Sequence, residues 1–247
     1  MARRPASSAL PDISVVVPVH DEAGAAPALA REIAEAFAGR SYEMIFIDDA
    51  SKDATLAELQ ALKAELPTLR VLAHAKNAGQ SRAVRTGVRA ARAPIVVTLD
   101  GDGQNPPSDA PRLADALIAA PDDVALVGGR RVKRQDTGAK RQASLWANRI
   151  RRRLLNDDAD DTGCGLKAFR RDVFLALPYF DHIHRYLPAL TIREGYRNLY
   201  LDVSHRGRDS GVSKYTNLGR LKASVSDLLG VMWLKTRLRQ PGPVSEV

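Results

Sequence analysis

The chain has 247 residues, is 45% hydrophobic and 27% charged, and carries a formal net charge of +8 at pH 7. This length suits one large α/β domain or two small ones, and the positive charge predicts a polyanionic partner: nucleic acid, an anionic membrane or a phosphorylated substrate. The single cysteine excludes an intramolecular disulfide, and no stretch approaches the roughly 20 apolar residues that a transmembrane helix needs.

Strands and helices are predicted to alternate through the first 100 residues. A tail, residues 1–12, lacks the apolar core of a secretory signal. Four apolar runs then predict buried strands: "ISVVVPVH", "YEMIFIDDAS", "LRVLAHA" and "PIVVTLD". Between them, "GAAPALAREIAEAFAG", "DATLAELQALKAEL" and "GQSRAVRTGVRAARA" predict helices, the second with Ser51 as its N-cap. The alternation predicts a mostly parallel sheet with helices on both faces.

The second half of the chain is less regular. "DVALVGGRR" predicts a fifth strand, and residues 160–177 predict a turn, a short strand and a helix. Residues 199–217 predict a strand that runs into a basic loop, and residues 218–239 predict a final helix. We interpret the chain as one α/β domain over residues 13–215, followed by an amphipathic helix and tail over residues 216–247.

Candidate ligand-binding residues lie where three of the predicted strands end, and most of them are polar. They are Pro18, His20 and Glu22 at the first, Asp48 and Asp49 at the second, and Asp100 and Asp102 at the fourth. Ligands of parallel sheets bind off the carboxyl ends of the strands. A solvated turn explains an isolated Asp-Gly-Asp about as well, but three unrelated turns are not expected to gather polar groups on one edge.

The stretch "TLDGDGQNPP" predicts a site for a hard divalent cation. Asp100 and Asp102 repel each other unless their charges are compensated, and Gln104 offers an amide oxygen close by. Mg²⁺ and Mn²⁺ prefer oxygen ligands, and Mg²⁺ takes one or two protein carboxylates together with substrate phosphates. Such a cation would offset negative charge on a leaving nucleoside diphosphate.

Other nucleotide and nucleophile motifs are missing from the sequence. The first predicted strand ends in "PVHDEAGAAP" and lacks the G-x-G-x-x-G of a dinucleotide fold, and no P-loop motif occurs. No arrangement supports a serine or cysteine nucleophile. Cys164, in "TGCGLKAF", is interpreted as a small buried residue in a turn.

Basic residues are concentrated in two later segments. Residues 130–153 contain ten Lys or Arg against one acid, with Trp146 as the one aromatic residue. Few aromatic residues for base stacking disfavour nucleic acid, which leaves a solvated basic face, a phosphate site or an anionic-lipid site. The second segment, "HRGRDSGVSKY", is interpreted either as a phosphate clamp or as an ordinary polar loop.

The final helix is predicted to be amphipathic. Its apolar stripe consists of Leu218, Leu221, Val225, Leu228 and Met232, widened by Leu229 and Trp233. A basic amphipathic helix with tryptophan on its apolar side is typical of a segment that lies in a membrane interface. Packing on the protein's own core, or on a second subunit of a homo-oligomer, explains the stripe equally well.

The motifs together resemble glycosyltransferase family 2, and most closely its dolichol-phosphate mannosyltransferase-like branch, the polyprenyl-phosphate glycosyltransferases. The matching stretches are "VVVPVHDEAG", "IFIDDASKDAT", "NAGQSRAVRTGVRAA", "LDGDGQNPP", "DTGCGLKAFRRDV" and "HRGRDSGVSKY". The resemblance implies a GT-A fold, a nucleotide-sugar donor, and Mg²⁺ or Mn²⁺. The sequence departs from the family pattern where His20 replaces a more usual aromatic residue and Gly101 replaces a frequent alanine of similar size.

The resemblance also implies roles by position. Residues implied at the nucleotide-sugar are Pro18, His20, Glu22, Asp49, Asp100, Asp102 and Lys214. Residues implied at the acceptor's phosphate are Arg130, Arg141, Ser144, Arg206, Arg208 and Ser213. The implied metal ligands are Asp100, Asp102 and Gln104, and the implied catalytic residues are Asp100, Asp102 and Asp161.

The implied reaction is an inverting transfer of a sugar from GDP-mannose or a UDP-sugar to polyprenyl phosphate. A phosphate monoester is largely dianionic near neutral pH and needs no general base. Holding two anions together explains the positive charge better than nucleic acid does. We expect a cytoplasmic protein, peripheral on an anionic membrane. Two alternatives stay open: a soluble family 2 transferase with a hydroxyl acceptor and Asp161 as base, and a non-catalytic nucleotide-sugar-binding protein.

Overall fold

The structure, a computed structural model, describes residues 10–132, 151–159, 161–206, 217–239 and 245–246. Its strands are β1 (Ile13–Val19), β2 (Tyr42–Asp48), β3 (Leu69–Ala73), β4 (Ile95–Thr98), β5 (Val124–Arg131), β6 (Lys167–Arg170) and β7 (Arg197–Val203). Its helices are α1 (Ala25–Ala36), α2 (Thr55–Leu62), α3 (Gln80–Ala90), α4 (Ala110–Ile118), α5 (Arg171–Ala176), α6 (Leu187–Arg193) and α7 (Asn217–Thr236). Short 3₁₀ turns lie at Pro107–Asp109 and Ile183–Arg185, and residues 151–155 are also helical.

The seven strands of the described chain form one sheet in the order β3-β2-β1-β4-β6-β5-β7. β1 pairs in parallel with β2 and β4, β5 pairs in parallel with β7, and β6 runs antiparallel to both of its neighbours. This confirms the predicted α/β class with a mostly parallel sheet. Because β2, β1 and β4 are neighbours, the polar residues that follow them meet at one edge of the sheet.

Two apolar layers cover the sheet and hold its strands in place. On one face, helices α1 and α4 bury Leu29, Ile33 and Leu113 against the strands. On the other face, helices α3 and α6 bury Val84 and Leu190. Loops at the strand ends therefore stand on a rigid base, which is where binding and catalytic residues are commonly carried.

The predicted N-cap of the second helix is wrong. α2 begins at Thr55, its N-cap position is Ala54, and no side chain caps it. Ser51 lies too far ahead of the helix, and its Oγ accepts a hydrogen bond from the backbone N–H of Asp21 at 2.9 Å. This serine therefore joins two loops of the sheet edge and does not begin a helix.

The apolar stripe of α7 divides between two surroundings. Val231 is fully buried, and Leu228 and Met232 pack against the core. The α7 ridge, which is the exposed part, consists of Val225, Leu229 and Trp233, with 51%, 60% and 57% of their surfaces exposed. The predicted stripe is thus wrong in placing Val225 with Leu228 and Met232, because four-residue spacing aligns it with the ridge. The side chains of Leu218 and Leu221 lie outside the described residues.

The length and composition of the helices decide whether one of them could span a membrane. In the part of the chain that the structure describes, no helix is both long and apolar enough to cross a membrane. The last helix ends at Thr236, before the predicted residue 239.

Candidate active site

The loop between β1 and α1 has its backbone donors occupied. Four consecutive N–H groups donate over 2.7–3.1 Å to side-chain oxygens of the segment that follows β2 and of the start of α2: Asp21 to Ser51, Glu22 to Thr55, Ala23 to Asp53 and Gly24 to Glu58. A loop that cradles phosphate needs such N–H groups free. This loop therefore shapes the edge of the site, in agreement with the missing glycine-rich motifs.

Asp49 is buried directly after β2, where it organises the loop that leads into α3. Its Oδ1 lies 2.7 Å from Nδ1 of His74 and accepts the N–H of Ala78 at 2.9 Å. Its Oδ2 accepts the N–H of Gly79, the residue before α3, at 2.8 Å. Both oxygens therefore have partners within the protein. The predicted contact of Asp49 with the nucleotide base stays a prediction.

Two polar atoms on the same edge are buried without a hydrogen-bond partner among the described residues. They are Oδ1 of Asp48 and Nδ1 of His20. Leaving such an atom unsatisfied costs about 1–3 kcal/mol, so both atoms point to a ligand that would satisfy them. Pro18 is buried and Glu22 is partly exposed on this edge, and their contacts with a nucleotide stay predictions.

Asp100 and Asp102 lie in the turn that follows β4. Asp100 accepts a hydrogen bond from Nε2 of Gln80 at 2.7 Å, and Asp102 accepts the backbone N–H of Gln104 at 3.1 Å. Burial, together with the charge of Asp102, raises the pKa of the Asp100 carboxyl. The repulsion that the sequence predicts between the two carboxylates is therefore present in the folded protein.

Two glycines near Asp100 occupy positions where a side chain would collide with its surroundings. A Cβ on Gly165 would lie 2.2 Å from the Asp100 carboxylate, so this position accepts no side chain without movement of Asp100. A Cβ on Gly101 would lie 2.6 Å from the carbonyl oxygen of Pro18 and 2.6 Å from a methyl group of Val19. The expectation that glycine replaces alanine conservatively at position 101 is therefore wrong, because alanine there would force β1 and this turn apart.

A cavity of about 350 Å³, the active-site cavity, opens beside Asp100. Its lining also includes Gln80, Arg131, residues 161–165, Lys167, His184 and Arg185. Arg131 and Asp161 form a bidentate pair at 2.7 and 2.8 Å. The Lys167 ammonium donates to the backbone carbonyls of Thr162 and Cys164, and burial lowers its pKa. One ion pair, between Arg131 and Asp161, and one anchored ammonium, that of Lys167, therefore lie beside Asp100 in one cavity.

His184 adds a neutral group to the active-site cavity. Its Nδ1 lies 2.7 Å from Oγ of Ser81, which is buried at the start of α3. Burial, followed by the positive charges of Arg185 and Lys167, lowers the pKa of His184 well below its usual value. The imidazole is therefore uncharged at pH 7.

The described residues that were predicted to hold the acceptor's phosphate have partners within the protein. Arg130 donates to Asp202 at 2.6 Å on the surface, while its neighbour Arg131 lines the cavity. Arg206 donates to Glu32 at 2.9 Å and to the carbonyl of Gly103. Four further residues predicted at the acceptor's phosphate lie outside the described residues: Arg141, Ser144, Arg208 and Ser213. Lys214, predicted at the nucleotide-sugar, also lies outside them. The predicted ligand contacts of all these residues stay predictions.

Sequence reasoning missed four residues that line the cavity: Arg131, Lys167, His184 and Arg185. Two of them left a signal. Lys167 interrupts the apolar run "GLKAF", and strand alternation at the end of β5 sets Arg131 on the opposite side from Arg130. The turn that carries His184 and Arg185 left none, because its place in space depends on the packing of α6.

The carboxylate pair fits a divalent cation that shares its ligands with a substrate. Within the described residues, no group of three or more His, Cys, Asp or Glu side chains is arranged to hold a metal ion by itself. Mg²⁺ needs only one or two protein carboxylates when substrate phosphates supply the rest. Burial and the charge of Asp102 raise the pKa of Asp100, and a cation at the pair would favour the ionised carboxylate. The side-chain role of Gln104 stays a prediction.

Comparison with known proteins identifies the class. Residues 14–177 match the model of glycosyl transferase family 2, and the chain belongs to this family. It is 31% identical to a dodecaprenyl-phosphate galacturonate synthase of Rhizobium johnstonii, over 94% of this chain and 69% of that protein. It is 34% identical to an undecaprenyl-phosphate 4-deoxy-4-formamido-L-arabinose transferase of Pectobacterium carotovorum, over 84% of this chain and 63% of the relative. The chain thus spans roughly two thirds of each relative's length.

Solved structures support the fold. Glucosyl-3-phosphoglycerate synthase of Mycobacterium tuberculosis, in complex with Mn²⁺, UDP-glucose and phosphoglyceric acid, matches with a TM-score of 0.65 and 18% identity, over 97% of this chain and 88% of that one. A mannosyltransferase of Pyrobaculum calidifontis, in complex with GDP-mannose and Mn²⁺, matches with a TM-score of 0.61 and 20% identity, over 96% and 67%. At these identities the likeness shows the fold alone, which is the predicted GT-A-like arrangement.

Proposed function

We propose that the protein transfers a sugar, with inversion at the anomeric carbon, from a nucleotide-diphosphate sugar to a polyprenyl phosphate. The observation that carries this proposal is the state of Asp161, the one placed candidate for a general base. Arg131 holds its carboxylate in a bidentate pair, and both side chains are largely buried. A carboxylate that is hydrogen-bonded in this way is a poor base, which favours an acceptor that is already ionised.

The other titratable groups described around the cavity do not replace Asp161 as a base. Asp100 belongs to the carboxylate pair, the Lys167 ammonium donates to two backbone carbonyls, and the lowered pKa of His184 makes its imidazole a weak proton acceptor. Among the described residues, a hydroxyl acceptor would therefore lack the proton acceptor that it needs. A phosphate monoester, with a second pKa of about 6, needs none at neutral pH.

The curated relatives support the same acceptor class. One is named for galacturonate on dodecaprenyl phosphate and the other for a formamido-arabinose on undecaprenyl phosphate. Both names state a polyprenyl phosphate, and they differ in the sugar. We therefore propose a polyprenyl phosphate as the acceptor, and the two names do not point to one sugar.

In the proposed reaction, a phosphate oxygen of the acceptor attacks the anomeric carbon while the bond from that carbon to the diphosphate oxygen breaks. Asp100 and Asp102 would hold Mg²⁺ or Mn²⁺, which when bound offsets negative charge on the diphosphate. Arg131, oriented by Asp161, places a guanidinium at the cavity that receives the attacking anion. No proton has to move during the transfer.

The state of Asp161 can be tested with Asp161→Asn and a matched control, Asp202→Asn, which loosens the surface pair with Arg130. A general base contributes about 10²–10⁴-fold to a rate. With polyprenyl phosphate as acceptor, we expect Asp161→Asn to lower turnover by less than about 10²-fold and to leave the pH profile unchanged. We expect Asp202→Asn to leave turnover unchanged. A fall of more than a thousandfold with loss of a pH limb, in a protein that still melts cooperatively, would assign Asp161 as a base and favour a hydroxyl acceptor.

We also propose that the α7 ridge attaches the protein to an anionic membrane surface. Arg237 and Arg239 follow the ridge, and the Arg237 guanidinium lies 5.6 Å from the Trp233 ring. Attachment does not require α7 to leave the core, because its opposite face stays packed on it. His182 binds Asp227 of α7 at 2.8 Å, which links the helix to the turn that lines the active-site cavity. A lipid acceptor would meet the cavity from this side.

The attachment is tested by co-sedimentation with vesicles that contain anionic lipid. Burying a leucine or a tryptophan stabilises binding by about 1.5–3 kcal/mol each, so Leu229→Ser combined with Trp233→Ser should lower vesicle binding at least about tenfold. Ile118→Ser is the control, because Ile118 is 53% exposed at the end of α4 on the opposite face of the sheet. Equal binding by all three proteins would contradict the attachment, as would a dimer of the unchanged protein that the double substitution dissociates.

A further inference from the structure

The active-site cavity is lined by Asp100 but by none of the predicted nucleotide residues at the ends of β1 and β2. Pro18 lies near the end of β1, and His20 and Asp49 directly follow β1 and β2. The cavity opens instead between the ends of β4, β6 and β5 and the turn at Ile183–Arg185. A ligand group in this cavity is therefore the transferred sugar or the group that attacks it.

The cationic side chains described around this cavity have hydrogen-bond or ion-pair partners within the protein, with one exception. Arg131 is paired with Asp161, and the Lys167 ammonium donates to two backbone carbonyls. The guanidinium of Arg185 has no hydrogen-bond or ion-pair partner in the parts of the chain that the structure describes. A cation that lines a cavity without a partner is suited to a negatively charged ligand.

The backbone under Arg185 is well anchored. Its N–H donates to the carbonyl of His182 at 3.0 Å, and Ile183 and Leu187 on either side of the turn are buried. The planar guanidinium offers paired donors that match the oxygens of a carboxylate or a phosphate. His184, fixed by Ser81, adds a hydrogen-bonding ring beside it.

We propose that Arg185 binds an oxyanion of the substrates in this cavity, distinct from the donor's diphosphate: a carboxylate on the transferred sugar or the phosphate of the acceptor. The inference rests on the proposed function, since it takes the cavity to receive the sugar and its acceptor. It makes Arg185 a specificity residue, because an anion at this position is what distinguishes an accepted substrate from a rejected one.

The test compares Arg185→Gln with Arg89→Gln, which removes an exposed arginine in the last turn of α3. Calorimetry with Mn²⁺ measures binding of UDP, UDP-glucose, UDP-glucuronate and a short polyprenyl phosphate, with the guanine counterparts used if the unchanged protein binds only those. A sugar carboxylate as ligand predicts binding of the glucuronate donor weakened about ten- to a hundredfold by Arg185→Gln, with UDP and UDP-glucose unaffected. An acceptor phosphate as ligand predicts the same loss for polyprenyl phosphate alone. Arg185→Lys should recover part of either loss.

The inference is overturned if Arg185→Gln behaves like Arg89→Gln toward every ligand. It is also overturned if binding of UDP itself weakens in parallel, which would place Arg185 at the diphosphate. Calorimetry needs no turnover, so its result is independent of the transfer reaction. A protein that binds these ligands and transfers no sugar would contradict the proposed function and leave the conclusion on Arg185 unaffected.

Discussion

The two sides of the sheet edge differ in how their polar groups are satisfied. On the side of β1 and β2, four loop N–H groups and both oxygens of Asp49 have partners within the protein. On the side of β4, β6 and β5, burial and the neighbouring carboxylate of Asp102 raise the pKa of Asp100. Arg185 lines the cavity on this side without a partner among the described residues. The first side is largely satisfied by its own chain, with Oδ1 of Asp48 and Nδ1 of His20 as exceptions among the described residues, and the second is arranged for ligands.

This difference separates residues that hold the site from residues that act in it. Substitutions on the β1–β2 side should lower stability first, since they break hydrogen bonds that the folded protein already makes. Substitutions of Asp102 and Arg185 on the β4–β5 side should lower activity first, since the main interactions of these side chains form with substrates and metal. Exceptions to this division would show where the comparison fails.

The largest expected effect is on Asp102. Asp102→Asn removes one charge of the pair and should lower turnover by about 10²–10³-fold or more, as loss of a group that stabilises developing charge does. Its melting temperature should stay close to that of the unchanged protein, because within the described residues the Asp102 carboxylate accepts one hydrogen bond, from the Gln104 N–H. Turnover is measured with labelled nucleotide-sugar at saturating Mn²⁺. Near-normal turnover, especially in the presence of a chelator, would contradict the metal role.

Gly165 gives the next largest effect. The Cβ of Gly165→Ala would lie 2.2 Å from the Asp100 carboxylate, whereas that of Gly163→Ala would meet the ends of the Arg131 and Asp161 side chains, at 3.2 and 3.7 Å. We expect Gly165→Ala to lower turnover at least about tenfold, because a displacement of about 1 Å at a reacting centre costs as much or more. The Gly163 control should lose far less. Equal turnover by both variants would show that the position of Asp100 is not critical.

Asp49 tests the side that is already satisfied. Asp49→Asn weakens three buried hydrogen bonds and should destabilise the protein by about 1–3 kcal/mol. For a chain of this size that lowers the melting temperature by about 2–4 °C for each kcal/mol. If Asp49 also meets the base, affinity for the nucleotide should fall in the folded variant as well. An unchanged melting temperature would contradict its anchoring role.

The smallest effect concerns pH and a buried pair far from the cavity. Burial opposes ionisation of Glu43, but hydrogen bonds from the Arg92 N–H, Ser14 and Arg70 outweigh it and lower the pKa below 4.5. A lowered pKa in the folded state contributes stability that is complete above 4.5 and is lost as the pH falls through the folded value. The difference in melting temperature between the unchanged protein and Glu43→Gln should therefore be constant from about pH 7 to 5.5 and shrink below about 4.5. A difference that grows on acidification would contradict this assignment.

How far the sequence predicted the molecule depends on the range of the interactions. The alternating strands, and the meeting of Asp48, Asp49, Asp100 and Asp102 at one edge, followed from β-branched runs and from the rule that parallel strands end together. The antiparallel placement of β6 between β4 and β5, and the turn that brings His184 and Arg185 to the cavity, depend on contacts between distant segments. A pattern along the chain carries no signal for such contacts.

The last helix shows the same limit on a smaller scale. Its periodicity predicted an apolar stripe and left core packing and membrane contact as alternatives. The structure divides the stripe, with Leu228 and Met232 packed against the core and Leu229 and Trp233 on the outside. Core packing therefore holds for one face of the helix, and membrane contact stays a proposal for the exposed face. Periodicity alone does not separate the two faces, because adjacent apolar positions look the same in a sequence.

The central claim is that the acceptor is an ionised lipid phosphate that needs no general base. The most direct measurement compares polyprenyl phosphate with the corresponding polyprenyl alcohol as acceptors for a labelled nucleotide-sugar, with Mn²⁺ and vesicles present. We predict product from the phosphate alone, at a rate that falls as acidification protonates the acceptor below its second pKa of about 6. Equal transfer to the alcohol, or a rate with the phosphate that is indifferent to its ionisation, would contradict the account.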